Sequence, residues 1–176
     1  MTDHDERVVL VDQDGEPIGS APKATVHDAD TPLHLAFSCH ISDATGRLLV
    51  TRRALSKRTW PGVWTNSFCG HPAPGELMEA AIARRALDEL GVVLVDLEPL
   101  LPDFRYRATD ANGVVENEVC PVFAARTDDD VLPDPDEVAE YRWVERADLE
   151  AATAAAPWAF SPWLNLQLAA LEAQRA

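Results

Sequence analysis

The sequence predicts an α/β fold in which a mixed sheet packs between helices. Three observations carry that prediction: strand-like runs flank one long unbroken helical segment, residues 76–90; the C-terminal end reads as two closing helices; and no repeat or linker divides the 176 residues. A chain of this length, as one domain, buries on the order of two thirds of its unfolded surface.

Each element follows from its own residues. Arg7 to Asp12 reads as a first strand, followed by the turn Asp14-Gly15 and a polar connection through Pro17, Gly19 and Pro22. The polar stretch KATVHDADTPLH, from Lys23 to His34, holds His27 and His34. Leu35 to Ile41 and Leu48 to Thr51 form a hairpin around Asp43 to Gly46, and TRRALSKR then concentrates positive charge. Trp64 to Phe68 is a short β-like run leading into Cys69-Gly70-His71 and a Pro/Gly turn. From Glu76 to Leu90 nothing breaks a helix. Its apolar residues Leu77, Ala80, Ala81, Leu87 and Leu90 recur near three- and four-residue steps, and Gly91 stands where a C-terminal cap belongs. Val92 to Leu97 and Phe104 to Ala108 read as strands, Val114 to Ala125 as the longest strand, and Asp128 to Asp136 as an acidic loop. Glu140 to Val144 is a short strand; Asp148 to Ala155 and Pro162 to Arg175 are helices.

Composition narrows the function. Fifteen basic residues against thirty acidic ones give a formal charge of −15, which argues against nucleic acid or an anionic membrane as partner. An anionic substrate must therefore be met by local cations. The N-terminal MTDHDERVVL has no apolar core, and neither a membrane-spanning run nor a lipidation signal occurs, so a cytoplasmic protein is expected; a monomer is the expectation for its assembly, which no residue pattern fixes. Three widely spaced cysteines, Cys39, Cys69 and Cys120, read as reduced thiols. The chain has no dinucleotide fingerprint, so no organic cofactor is expected. Strand alternation puts Glu116, Glu118 and Cys120 on one face of their strand, where adjacent carboxylates repel unless a cation or proton lies between them.

The segment Gly70, five residues, Glu76, seven residues, then Arg84-Arg85-Ala86-Leu87-Asp88-Glu89-Leu90-Gly91-Val92 resembles the Nudix box, G-x5-E-x7-R-E-U-x-E-E-x-G-U with U apolar. It departs at Arg85 and Asp88, where the box has glutamates, and keeps Glu89. The flanking words TRRALSKR, WPGVWTNSFCGHP, PDFRYRATD, ENEVCPVFAAR and PWAFSPW resemble the type I isopentenyl-diphosphate isomerases, from about Lys23 to Trp163. That resemblance implies an α/β/α sandwich and a substrate that is a small allylic or homoallylic diphosphate. It implies one divalent metal, Mn²⁺, Zn²⁺ or Fe²⁺, on His27, His34, His71, Glu116 and Glu118. It further implies a Mg²⁺ that arrives with the diphosphate and is held by Glu89 and the Cys69 carbonyl, with Lys23, Arg53, Lys57 and Arg85 as diphosphate contacts. Cys69 is assigned one face of the allyl system, Glu118 with Tyr106 the other, and Trp163 the stabilisation of a carbocation. The thiol of Cys69, near a helix N-terminus and beside metals, is expected to have a lowered pKa. His4 and His40 have no assigned part. The rival enzyme reading is a Nudix hydrolase of a nucleoside diphosphate derivative, and the non-enzymatic one a metal-binding or redox-sensing module built on Cys69 and the histidines.

Overall fold

A computed structural model describes residues 6–175; His4 lies outside them. In chain order the strands and helices are β1 (Arg7–Val11), β2 (Pro17–Pro22), α1 (Lys23–Val26), β3 (His34–Leu35), β4 (Phe37–Ser42), β5 (Leu48–Arg53), β6 (Trp64–Thr65), β7 (Phe68–Gly70), α2 (Met78–Leu90), β8 (Val95–Leu101), β9 (Arg105–Thr109), β10 (Val115–Val119), β11 (Val122–Arg126), β12 (Val138–Val144), α3 (Arg146–Ala155) and α4 (Pro162–Arg175). None of these helices is long and apolar enough to cross a membrane.

The strands form two sheets. One has the order β2-β1-β3-β10-β9; the other has β12-β5-β4-β11-β8, with β6 beside β5 and β7 beside β4. Both are mixed, because β3 runs parallel to β10 and β4 runs parallel to β11. The larger sheet is the centre of the α/β/α sandwich. On β4, Phe37, Cys39 and Ile41 point to one face and pack with Ala81, Ile82, Ala86 and Leu90 of α2. On β5, Leu48 and Val50 point to the other face and meet Leu149 of α3 and Leu164 and Leu168 of α4. The period of two along the strands thus separates two helix layers with one set of residues.

Two parallel chains cross together from one sheet to the other. After β3 the backbone passes Ala36 into β4, and after β10 it passes Cys120-Pro121 into β11; Ala36 N–H donates to Val119 O at 2.9 Å and Ser38 N–H to Pro121 O at 3.1 Å, so pairing continues through the bend. The single strand expected from Val114 to Ala125 is therefore two strands in different sheets. Pro121 has no N–H to donate, and the break falls beside it. The polar connection expected over Pro17 to Pro22 is also a strand, since it pairs antiparallel with β1 as an exposed edge, which suits prolines at both ends. The run Trp64 to Phe68 divides likewise, β6 pairing with β5 and β7 with β4. The strand expected over Val92 to Leu97 runs instead over Val95–Leu101.

The central helix starts at Met78 rather than Glu76. Glu76 accepts from the Ala73 N–H at 2.8 Å and from Arg84 at 2.9 Å, which holds the preceding turn, and Leu77 is extended. At the other end Gly91 adopts φ 67°, and its N–H reaches back to the last turn. Gly70 is a tighter constraint: a Cβ there would lie 2.7 Å from Phe37 Cζ and 2.9 Å from Arg85 Cγ. Phe37 is fully buried and cannot yield without moving the core. Gly70→Ala should therefore destabilise the fold by about 1–3 kcal/mol through overpacking, lowering the thermal midpoint by several degrees. A variant that melts with the parent would reject this account of Gly70.

Candidate active site

The bend where the two sheets meet opens into a cavity of about 520 Å³. Two walls come from strands of different sheets: Glu116 and Glu118 from β10 and Tyr106 from β9 on one side, Arg53 from β5 and Cys69 from β7 on the other. Every site residue named from the sequence lines this cavity except His34, which lies behind the wall with no exposed surface.

His34 and Glu118 are partners across the parallel pair β3/β10, and that register brings an imidazole beside a carboxylate. His34 Nδ1–H donates to the Pro32 carbonyl at 2.9 Å, which can only accept, so in the neutral ring Nε2 keeps its lone pair. Although burial opposes it, Glu118 raises the imidazole above its ordinary range, so a proton or another cation is drawn to that nitrogen. That nitrogen lies 3.5 Å from Glu118 Oε1 and has no hydrogen-bond partner. His71 Nε2 approaches the same oxygen at 3.1 Å, and His27 Nε2 lies 3.3 Å from Glu116 Oε2. The three rings are packed with centroids 5.0 to 5.8 Å apart. Ligand atoms of His27, His34, His71 and Glu118 all fall within 4.8 Å of one another. Glu116 stands at the edge of this group, one oxygen turned to His27 and the other accepting from the Thr59 hydroxyl at 2.7 Å.

Lone pairs of buried nitrogens converging on carboxylates are a costly arrangement without a cation between them. The donor set fits a divalent metal, because it is tautomerically prepared: the Pro32 carbonyl orients His34 as a ligand. Imidazole and carboxylate together suit Mn²⁺, Zn²⁺ or Fe²⁺. Glu116 and Glu118 do not form a solvated strand face, since they are 7 % and 4 % exposed. Burial would raise the Glu118 carboxyl, yet the adjoining His34 and His71 imidazoles hold it well below the usual carboxylate range. For His71 the desolvation wins, and its imidazole is pushed down to about 4.

The other end of the cavity is cationic, but its cations are already engaged. Lys23 Nζ pairs with Glu6 at 2.6 Å, Lys57 with Glu137, and Arg85 with Glu89 and, at 3.3 Å, with Glu137. Arg53 donates to the carbonyls of Thr59 and Trp60, and its Cζ lies 5.3 Å from the centroid of the Trp163 ring. Burial pushes the Lys57 ammonium down to about 8. Glu137, which joins Lys57 to Arg85, was not found from the sequence; it sits at the end of the acidic loop and its neighbours Asp134 and Asp136 look equally suitable there. Thr59, joining Arg53 to Glu116, was missed for the same lack of a local signal. Of the three box positions, only Glu89 faces the cavity as a carboxylate; Asp88 is an exposed neighbour of Arg84.

Cys69 corrects an expectation. The helix begins nine residues after it, at Met78, with a turn held by Glu76 in between. Burial, with Glu118 adding to it, pushes the Cys69 thiol up to about 12, so in the metal-free protein it carries its proton. Sγ lies 3.2 Å from Ser38 Oγ and 3.4 Å from Asn66 Oδ1. His40, without an assigned part in the sequence, is buried and bonded to Gln167 Oε1 at 2.9 Å.

A NUDIX domain model matches residues 32–164. Isopentenyl-diphosphate Delta-isomerase of Clavibacter michiganensis subsp. michiganensis is 65% identical over the whole of this chain and 91% of its own length, and that of Leifsonia xyli subsp. xyli is 63% identical over 98% of this chain and 95% of its own. The chain belongs to the isopentenyl-diphosphate Delta-isomerase family within the Nudix superfamily. Among solved structures, a Deinococcus radiodurans protein superposes with a TM-score of 0.71 at 22% identity, covering 92% of this chain and 97% of its own. A MutT protein of Methanosarcina mazei gives 0.64 at 21% identity, covering 82% and 96%. These two likenesses show the fold over most of the chain, in agreement with the NUDIX match.

Two measurements test the site. Mn²⁺ or Zn²⁺ added to chelator-treated protein should raise the thermal midpoint, by an amount worth about 2.7 kcal/mol at a hundredfold excess over the dissociation constant. His34→Ala should abolish that response, and an unresponsive parent protein would reject the metal site. The second concerns His40, whose burial pushes its imidazole down to about 4 from 6.5. Below pH 6.5 the unfolded chain gains a proton the folded chain refuses, so this residue lowers stability as pH falls toward 4, by at most about 3 kcal/mol. His40→Gln should therefore lose less unfolding free energy between pH 7 and pH 5 than the parent, in urea titrations with chelator present. An equal loss would rule His40 out as a source of acid sensitivity.

Proposed function

We propose that this protein is an isopentenyl-diphosphate Δ-isomerase that interconverts isopentenyl and dimethylallyl diphosphate by a 1,3-proton transfer. The observation that carries the proposal is one cavity that joins two chemistries: Lys57 and Arg85 gathered around Glu89 and Glu137, and Cys69, Tyr106 and Trp163 clustered beside Glu118, with Arg53 reaching over the Trp163 ring between them. A short branched alkene attached to a diphosphate calls for both. In this reading the enzyme is a single-domain cytoplasmic monomer whose partner is this small molecule, without nucleic acid or membrane.

The reaction adds a proton to the terminal alkene carbon and removes one from the internal carbon, through a tertiary carbocation. Cys69 and Glu118 are the two proton-transfer groups, acting on opposite faces. Because the reaction is reversible, each gives a proton in one direction and takes one in the other. Tyr106 is opposite Glu118 in the β9/β10 register, and burial keeps its phenol protonated, so it can donate a hydrogen bond to that carboxylate. Trp163, 2 % exposed, offers a π face that can stabilise a cation by roughly 2 kcal/mol when desolvated, without providing a nucleophile to trap it. Trp60 and Tyr106 close around that ring at 5.4 and 5.7 Å and exclude water.

Lys23, Arg53, Lys57 and Arg85 take the diphosphate. A divalent ion on His27, His34, His71, Glu116 and Glu118, whether Mn²⁺, Zn²⁺ or Fe²⁺, would supply charge that keeps Glu118 ionised and oriented; a Mg²⁺ brought by the substrate would take Glu89 and the Cys69 carbonyl. A Nudix hydrolase needs the helical carboxylates that this chain replaces with Arg85 and leaves exposed at Asp88. The relatives' shared name supports the isomerase over it.

Incubation of the metallated protein with isopentenyl diphosphate in D₂O distinguishes them. Deuterium uptake with formation of the isomeric diphosphate, and no phosphate release, is expected; phosphate release without exchange would overturn the assignment. Cys69→Ser should lower turnover by about a thousandfold or more while binding substrate nearly normally, since a serine hydroxyl is a far poorer proton shuttle. Cys39→Ser and Cys120→Ser should remain active, and a fully active Cys69→Ser would remove the thiol from the mechanism.

A further inference from the structure

Behind the cavity wall lies a group of buried polar side chains that the proton transfer itself does not use. Asn66, Ser38 and Gln167 have no exposed surface, and none of them lines the cavity. Asn66 sits in the two-residue gap between β6 and β7, and its amide orientation is forced. Nδ2 donates to the carbonyls of Phe68 at 2.7 Å and Cys39 at 3.1 Å, which can only accept. Oδ1 must then face the other way, where it accepts from the Trp163 indole N–H at 3.1 Å, a group that can only donate. The same oxygen takes the Thr65 hydroxyl at 2.9 Å and the Cys69 thiol at 3.4 Å.

A second contact holds the thiol from the adjacent strand. Ser38 and Cys69 are partners in the β4/β7 register. Ser38 Oγ accepts from Gln167 Nε2 at 2.8 Å, and Gln167 Oε1 in turn is bonded by His40 Nε2 at 2.9 Å. With its oxygen so engaged, the Ser38 hydroxyl proton is directed to sulfur, and Cys69 at 3.2 Å is nearer than Cys120 at 3.5 Å.

We propose that Asn66 and Ser38 are positioning residues: Asn66 ties the Cys69 thiol and the Trp163 indole to a single carbonyl oxygen, and Ser38 fixes the thiol from its other side. The proposal rests on the isomerase reading of Cys69 and Trp163. A proton-transfer group and a cation-stabilising ring must keep one separation throughout the reaction, and a common acceptor imposes it. Neither residue touches substrate, so their loss acts on turnover rather than on binding.

The test uses full-length metallated protein and isopentenyl diphosphate. Asn66→Ala should lower kcat by about a hundredfold, as a misplacement near 1 Å does, with KM and bound metal within about threefold of the parent. Asn66→Asp, whose buried carboxyl in its protonated form can donate to the Phe68 carbonyl while the other oxygen accepts, should recover at least about tenfold of that loss. Ser38→Ala removes one hydroxyl with little change of volume and carries the test if Asn66→Ala does not fold; it should lower kcat by about tenfold at unchanged KM. Turnover near the parent's in Ser38→Ala and in any folded Asn66 variant overturns the proposal. So does a kcat loss matched by equal losses in substrate affinity and metal content, which marks a merely structural role. The indole N–H-sensitive Raman band of Trp163, taken as the parent minus Trp163→Phe difference, should move to the unbonded position in Asn66→Ala; an unmoved band denies the shared acceptor. A parent protein without isomerase activity rejects the reading beneath the proposal, while the Raman result still reports on Asn66 itself.

Discussion

An imidazole lone pair facing a carboxylate in a water-free interior is the constraint on which the rest of this structure depends. The parallel register of His34 with Glu118 creates it, and the Pro32 carbonyl prevents the ring from escaping it by changing tautomer. Such a contact persists only if something positive completes it. The neighbouring His27 and His71 converge on the same point rather than relieving it. The fold therefore supplies rigidity where the chemistry would push groups apart: two strands that remain paired while crossing between sheets cannot easily spread.

That crossing also explains why the site has two walls of different character. One sheet contributes carboxylates and a phenol, the other a thiol and a guanidinium, and α4 closes the far end with Trp163. Polar groups with opposite preferences are thus kept on separate scaffolds, each with its own backbone pairing. Asn66 and Thr59 are small bridges between scaffold and site, and both act through oxygen atoms that face inward.

Much of this was legible in the chain because the signals are local or carried by spaced words. The helix before Gly91 follows from composition and a cap, and the Cys69-Gly70-His71 segment was recognisable together with its flanking words. Alternation put Glu116 and Glu118 on one face, and the structure buries both at the cavity. The failures have physical reasons. A strand signal counts apolar and β-branched residues and cannot see that Pro121 transfers the chain to a second sheet. Pro17 to Pro22 looked like a connection because edge strands are built from residues that discourage pairing. That the Cys69 thiol is pushed up in the metal-free protein was not legible, because desolvation depends on what surrounds a residue in space, and Glu118, which adds to it, is distant in sequence. Glu137 and Gln167 could not be singled out at all, as nothing near them in the chain distinguishes them from other polar residues.

The pairing of Lys57 and Arg85 with Glu137 has a consequence for discrimination among anions. Lys23, Lys57 and Arg85 are not free charges awaiting phosphate; each already has a carboxylate tethered beside it, at a high effective concentration. A bare phosphate or chloride must evict that carboxylate and leave it, in the case of buried Glu89, without a counter-charge. In the proposed function, a diphosphate entering with its own divalent cation would exchange partners instead of stranding one, because the released carboxylates would gain a positive neighbour as the lysine and arginine gain negative ones. Entry thus becomes a swap between two neutralised pairs, and a chain of formal charge −15 can admit an anion without presenting a positive surface to every other anion in the cell.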